Sequence, residues 1–279
     1  MRGTFDDPRT RTGRVDRDPT NQQSFHDGVD IQVPDGTPVY AVAAGEVFLV
    51  NRSAVAVVSP AWSAEPPAVF GYWHLDPTVA DHQLVARHEL LGHVRRGAGH
   101  VHLSEQRFGR YVNPLRSGGL TPYRDGTMPV IRKIVLRPCT PWRAISVDAV
   151  SGCVDVVVNA FDPPSMRPRG RWRDAVLPPF RVSWSGLSSG SWLPAAARPF
   201  VDFDQLLRVP VRDVYAPGTR QNLPDRPGTY FFWLARDLDT RILPDGVYTI
   251  RVSAADIRHN ETTSTFRFTV ANGSAAETP

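Results

Sequence analysis

Seven of the eight histidines fall between His26 and His102, and beyond that point only His259 remains. Imidazole ligates metals and carries protons near neutral pH, so a chemical centre is expected in the first part of the chain. Three segments supply its candidates. Phe25 to Val33 reads as a strand whose period of two puts His26, Gly28, Asp30 and Gln32 on one face and Val29, Ile31 and Val33 on the other. An imidazole and a carboxylate on a shared face can hold an ion together, and Gly28 between them leaves space that any side chain would crowd. An edge strand with a solvated polar face has the same pattern. Gly99 to Glu105 alternates in the same way, with His100 and His102 on one face and Val101 and Leu103 on the other. Their Cβ atoms are then roughly 7 Å apart, so one can ligate a metal while the other faces a substrate. Phe70 to Pro77 is an aromatic strand ending at His74 before a proline turn, a place that also suits a histidine packed among aromatic rings.

His88-Glu89-Leu90-Leu91-Gly92-His93 resembles the helical zinc-protease motif, but its histidines are five residues apart instead of four. On a helix that offset turns the second imidazole about 140° away from the first, so the two cannot clamp one ion. His82, His88 and His93 are read as loop or surface residues.

The elements that position these residues are short. The chain has 26 Pro and 21 Gly in 279 residues and lacks long apolar runs of 3.6-residue period, which implies a mostly β protein of two domains. The turn-rich stretch from Arg116 to Pro122, followed by Gly126 and Pro129, puts the boundary near residue 125. Beyond it, alternating runs recur at Ile131 to Leu136, Cys153 to Ala160, Phe180 to Trp184, Thr229 to Leu234, Val247 to Ala254 and Phe266 to Val270. They predict an immunoglobulin-like β-sandwich over 126–271, with a disordered tail at 272–279. A net charge of +4 with dispersed arginines argues against nucleic-acid binding. No apolar stretch approaches the roughly 18 residues of a membrane span, and Met1 to Asp18 lacks the apolar core of an export signal. Asp155, Asp162, Asp256 and Asn260 are read as turn formers, with no calcium site assigned to them.

In combination, these segments resemble the lysostaphin/LytM-type zinc endopeptidases that cut bacterial cell-wall peptides. The resemblance covers about residues 2 to 125. It rests on the His-x-Gly-x-Asp strand at His26 to Asp30, Asp35-Gly36-Thr37-Pro38-Val39-Tyr40-Ala41 with Gly45, Tyr72-Trp73-His74-Leu75, Leu91-Gly92, the His100-Val101-His102 strand, and Asn113-Pro114. It implies an antiparallel-sheet peptidase domain of the duplicated hybrid motif kind, and zinc held by His26, Asp30 and His102. His100 and His74 are then catalytic histidines that do not bind the metal, the substrate is peptidoglycan, and the location is secreted or in the cell envelope. The rival reading is a non-catalytic wall-binding or regulatory module that controls another wall hydrolase. The segment Gly92 to Gly99 is shorter than the glycine-rich loop usual in this family. If the protein is exported, Cys139 and Cys153 are expected to form a disulfide, since they sit at the end of one predicted strand and the start of another.

Overall fold

The structure, a computed structural model, describes residues 1–10, 15, 23–60, 67–119, 123–139, 145–188 and 200–273. Alternating apolar and polar residues give strands throughout. The first twelve are β1 (Pro8–Thr10), β2 (Gln23–Phe25), β3 (Gly28–Gln32), β4 (Pro38–Tyr40), β5 (Gly45–Asn51), β6 (Ala54–Ser59), β7 (Ala68–Trp73), β8 (Leu75–Pro77), β9 (Leu84–Val85), β10 (Leu90–Val94), β11 (His100–Arg107) and β12 (Arg110–Val112). Seven more follow: β13 (Val130–Pro138), β14 (Cys153–Phe161), β15 (Arg181–Ser188), β16 (Phe200–Asp202), β17 (Phe231–Asp239), β18 (Gly246–Ala255) and β19 (Glu261–Val270). The helices among the described residues are 3-10 turns of three residues each, and none is long and apolar enough to cross a membrane.

In the first unit the main antiparallel sheet runs β12-β11-β7-β6-β5-β9, with β3 paired to β11 beyond the end of β12. One face of it buries Val29, Val47, Val55, Val57, Tyr72 and Leu103. Each such side chain removed from water contributes about 1.5–3 kcal/mol, which fixes the register because a one-residue slip would turn the whole set outward. A smaller sheet, β4-β10-β8, covers the other end and carries His93 on β10, so this histidine is a partly buried strand residue and not a loop residue. His82 and His88 are exposed in turns, as expected.

The second unit packs a three-stranded sheet, β13-β14-β17, against a four-stranded one, β16-β15-β18-β19. Val154, Val156 and Val158 of β14 and Ile250, Val252 and Ala254 of β18 lie in the core between them. The expected runs fall on strands, except that Phe180 lies just ahead of β15 and Thr229 and Tyr230 just ahead of β17. The last begins five residues early, at Glu261, because its polar first half pairs through its backbone with β18 on a largely exposed face. β16 was not anticipated. Nor is all of the predicted tail loose: the Asn272 side chain donates to the carbonyls of Thr240 and Leu243 at 3.0 and 2.9 Å, and the Gly273 amide donates to Asp245. Residues 274–279 lie outside the described residues.

The two cores interlock. Val15 is buried in the second one and Phe25 packs on it, while Leu177 is buried in the first and Leu206 and Ile257 pack on that. Asn113 explains its place in the Asn-Pro motif: its Oδ1 accepts the Leu115 amide at 3.0 Å, and its Nδ2 donates to the Phe203 carbonyl at 3.1 Å across the seam. At the same seam the carboxylates of Asp125, Asp162 and Asp256 converge. Burial, followed by Asp125 and Asp256, pushes Asp162 up to about 8. Asp155 lies apart from them, accepting the Asp237 amide at 3.0 Å.

Cys139 and Cys153 are joined, with Cα atoms 5.6 Å apart. The bridge closes a loop of sequence separation 14 at the start of β14. Thiol titration of the unreduced, unfolded protein is expected to find no free thiol, and replacing both cysteines by serine should lower stability in denaturant titrations by about 3 kcal/mol.

Candidate metal centre

The strand expected over Phe25 to Val33 is interrupted at His26 and Asp27, because the first ten residues take over its pairing. The His26 amide donates to the Asp7 carbonyl at 3.0 Å, and the Asp6 amide to the His26 carbonyl at 2.8 Å. The Asp30 amide then donates to the Gly3 carbonyl at 2.9 Å, and the Arg2 amide to the Asp30 carbonyl at 3.1 Å. β3 therefore lies between this segment and β11.

Across β3 and β11 the register sets Ser104 opposite Gly28, His102 opposite Asp30 and His100 opposite Gln32. Directly opposed residues share a face, so the polar set of one strand meets that of the other, while Val29, Ile31, Val101 and Leu103 point into the core. On the far edge of β11, His102 pairs with Trp73, and the next residue, His74, takes a left-handed backbone with φ of 68°. That turn brings its ring to 4.3 Å from the ring of His100, centroid to centroid.

Three ligand atoms converge. His26 Nε2 lies 2.8 Å from His102 Nδ1 and 3.2 Å from Asp30 Oδ1, and His102 Nδ1 lies 3.2 Å from the same oxygen. Metal–ligand bonds of about 2.0–2.1 Å in tetrahedral geometry put ligands about 3.3 Å apart. The triangle needs to open by only a fraction of an ångström to hold such an ion, so these residues fit a divalent metal. His100 Nε2 stands outside it, 3.7 Å from Asp30 Oδ1. His74 is exposed at the rim.

Surrounding groups fix each ligand. His26 Nδ1 lies 2.8 Å from the Thr4 carbonyl and 2.9 Å from Arg9 Nη2. A carbonyl only accepts, so Nδ1 carries the proton and donates to Thr4, which leaves the Nε2 lone pair for a metal. The Arg9 guanidinium instead serves Asp30, donating to Oδ2 at 2.8 Å. His102 Nε2 faces Asp27 Oδ1 at 3.4 Å, an arrangement in which a carboxylate orients a ligating imidazole. Gly28 has a more definite role than leaving room for an ion: a Cβ there would sit 2.3 Å from the Leu103 carbonyl oxygen and 2.7 Å from His102 Nε2. The space is taken by the His102 ring itself.

Charge follows this geometry. Burial opposes ionisation of Asp30, yet His26, His102 and Arg9 outweigh it and hold the carboxyl well below its usual range. Burial and Arg9 push His26 down. In His102 the effect of burial is overcome by Asp27 and Asp30, which raise it. His100 is pushed down to about 4, chiefly by burial, and so is neutral at pH 7. Its Nδ1 donates to the Ala98 carbonyl at 2.7 Å, and the Nε2 lone pair accepts from Arg2 Nη2 at 2.9 Å. Arg2 in turn lies over the Trp172 ring at 4.5 Å.

Residues 24–114 match Peptidase family M23. The lysostaphin/LytM-type resemblance read from the motifs is thus shown for this stretch, and the first unit carries an M23 peptidase domain. No curated protein matches the chain. The five residues named from the sequence are brought together by the M23 fold: His26 just before β3, Asp30 on β3, His100 and His102 on β11, and His74 at the β7–β8 junction. Arg2, Thr4, Arg9 and Asp27 were not singled out in advance. Asp27 carried a signal, since it sits inside the His-x-Gly-x-Asp segment, whereas Arg2 and Arg9 belong to a polar start that shows no period.

Gly28→Ala is expected to lower stability by about 1–3 kcal/mol, because either the Leu103 backbone or the His102 ring must move. Competition with a chromophoric chelator should show divalent-metal affinity reduced at least about tenfold. Unchanged affinity would mean that His102 does not need the space above Gly28.

Proposed function

We propose that this chain is a zinc-dependent endopeptidase that hydrolyses peptide bonds of bacterial peptidoglycan, with His26, Asp30 and His102 as metal ligands and His100 and His74 as catalytic histidines. The observation that carries this reading is the triangle of ligand atoms with two further imidazoles beside it, within an M23 domain. Two imidazoles and one carboxylate suit zinc, and three protein ligands are the number found in catalytic sites. When bound there, zinc supplies Lewis acidity toward water and the scissile carbonyl.

The residues of the chain do the rest. His100 is neutral, and with its Nδ1 proton committed to Ala98 its Nε2 carries the lone pair that takes the proton from water, once the Arg2 guanidinium that occupies it has swung aside. His74, at the exposed rim and 4.3 Å from His100, donates to the carbonyl oxygen as charge develops there, an effect worth a few kcal/mol in comparable sites. The adjacency of the two rings also permits the two roles to be exchanged. The complete ligand set argues against the regulatory alternative, in which a lost ligand would be expected.

We further assign residues 1–125 to the peptidase domain and 126–271 to an immunoglobulin-like sandwich, whose three- and four-stranded sheets with strand orders 1-2-5 and 4-3-6-7 support the assignment. A secreted or cell-envelope location follows from the substrate, and the disulfide favours an oxidising compartment.

His102→Ala should lose both zinc, by elemental analysis, and activity. His100→Ala and His74→Ala should keep zinc but release muropeptides from purified peptidoglycan at least about a hundredfold more slowly, as followed by mass spectrometry. Absence of zinc after reconstitution at neutral pH, or full activity in both His100→Ala and His102→Ala, would overturn the proposal.

A further inference from the structure

We propose that Asp125, Asp162 and Asp256 hold a calcium ion at the seam between the two units, a second metal site separate from the histidine centre. Each offers an oxygen within 4.8 Å of those of the other two. They come from three separate segments: the connection after Tyr123, the residue following β14, and the turn between β18 and β19.

Asp125 and Asp256 are held by their own turns. Asp125 Oδ1 accepts the Thr127 amide and hydroxyl at 3.0 and 2.6 Å, and Oδ2 accepts the Tyr123 hydroxyl at 2.9 Å. Asp256 Oδ1 accepts the amides of Arg258 and Asn260, both at 2.8 Å, and Oδ2 accepts the Asn260 side chain at 2.7 Å. Asp162 differs. It is 5% exposed, and its Oδ1 is buried with no hydrogen-bond partner among the described residues. Its backbone cannot turn it away, because its amide and carbonyl are both paired with Leu177, at 2.7 and 2.8 Å.

Three carboxylates this close repel one another unless a cation or a proton stands between them. No Lys, Arg or His among the described residues makes a salt bridge to any of them. Arg258, two residues from Asp256, is turned onto the Tyr123 carbonyl at 2.9 Å and onto its ring, and Arg124, next to Asp125, is exposed. An all-oxygen anionic set calls for a hard cation. An irregular set drawn from three segments suits calcium, which accepts 6–8 ligands in irregular geometry, better than magnesium, which demands near-ideal octahedral geometry. Asp125 is only partly buried, which leaves one side for water ligands and entry. The bound ion would clamp the β18–β19 turn, whose Ile257 packs on the first core, to the connection between the units.

The test uses the full-length protein with its zinc in place. Calcium chloride at about 10 mM is expected to raise Tm by about 3 °C or more, since a weak site of the extracellular kind is then well occupied. Terbium should bind at one ion per chain, with luminescence sensitised by Tyr123 and reversed by excess calcium. Asp162→Asn should lose both responses while its Tm without calcium equals or exceeds that of the parent, because the buried Oδ1 has no hydrogen-bond partner to lose. Asp125→Asn, in a partly exposed turn, should weaken calcium binding at least about tenfold. The proposal fails if the parent shows no calcium response, if either variant keeps the full response, or if magnesium matches calcium. The first of these results would mean that a proton or a water satisfies Asp162.

Discussion

The carboxylate of Asp30 is the constraint around which the first unit is arranged. It is 5% exposed, and an ionised carboxylate removed from water costs several kcal/mol unless matched by charge and hydrogen bonds. Three parts of the chain supply the match: His26 from beside β3, His102 from β11, and Arg9 from the first segment, whose Arg2 and Gly3 pair with the Asp30 backbone along the open edge of β3. None can be placed without the others. His102 reaches Asp30 only because Gly28 leaves its ring a bed, and Arg9 reaches it only because residues 1–10 run beside β3. An ion in the triangle would therefore enter a frame whose charges are already balanced on their outer sides.

How much of this was legible in the sequence depended on what kind of signal each residue leaves. Alternation around Asp30, His100 and His102 is a period-two pattern, and the register puts these residues on one face as that pattern requires, whereas His26 lies before the paired stretch and meets Asp30 across the strand break. His74 was found by its motif neighbours, but its nearness to His100 depends on a left-handed backbone that no periodicity encodes. Arg2 and Arg9 leave no local signal, since their importance comes from pairing between the chain start and β3. The strand break at His26 has the same origin: the outer edge of β3 is claimed by a distant segment. In the second unit the apolar runs marked the strands reliably. β16 and the first half of β19 escaped notice because they are short or polar, and the sheet holds them through backbone bonds. The three seam aspartates could not be read as a group, because each is an ordinary turn or strand-end residue until the two units are folded together.

The second unit also bears on the histidine site. Trp172, from a 3-10 turn after β14, lies under the Arg2 guanidinium, and Arg2 touches His100. Nearby, Gln32 of β3 exchanges two hydrogen bonds with the backbone of Arg169, at 3.0 and 2.7 Å. An aromatic ring and a guanidinium form one wall beside the imidazoles, and part of that wall comes from outside residues 24–114.

The exchange of side chains between the two cores has an evolutionary consequence. Val15 precedes the histidine site in the chain but is buried in the sandwich, while Leu177 and Ile257 follow the connection and contribute to the peptidase core. In a cassette arrangement, one module could be swapped for another by recombination at a linker. Here a crossover near residue 125 would strand Val15 without its pocket and strip Leu177 and Ile257 from theirs, leaving each product with a gap filled by no native side chain. A change near these positions in one half therefore has to be matched in the other.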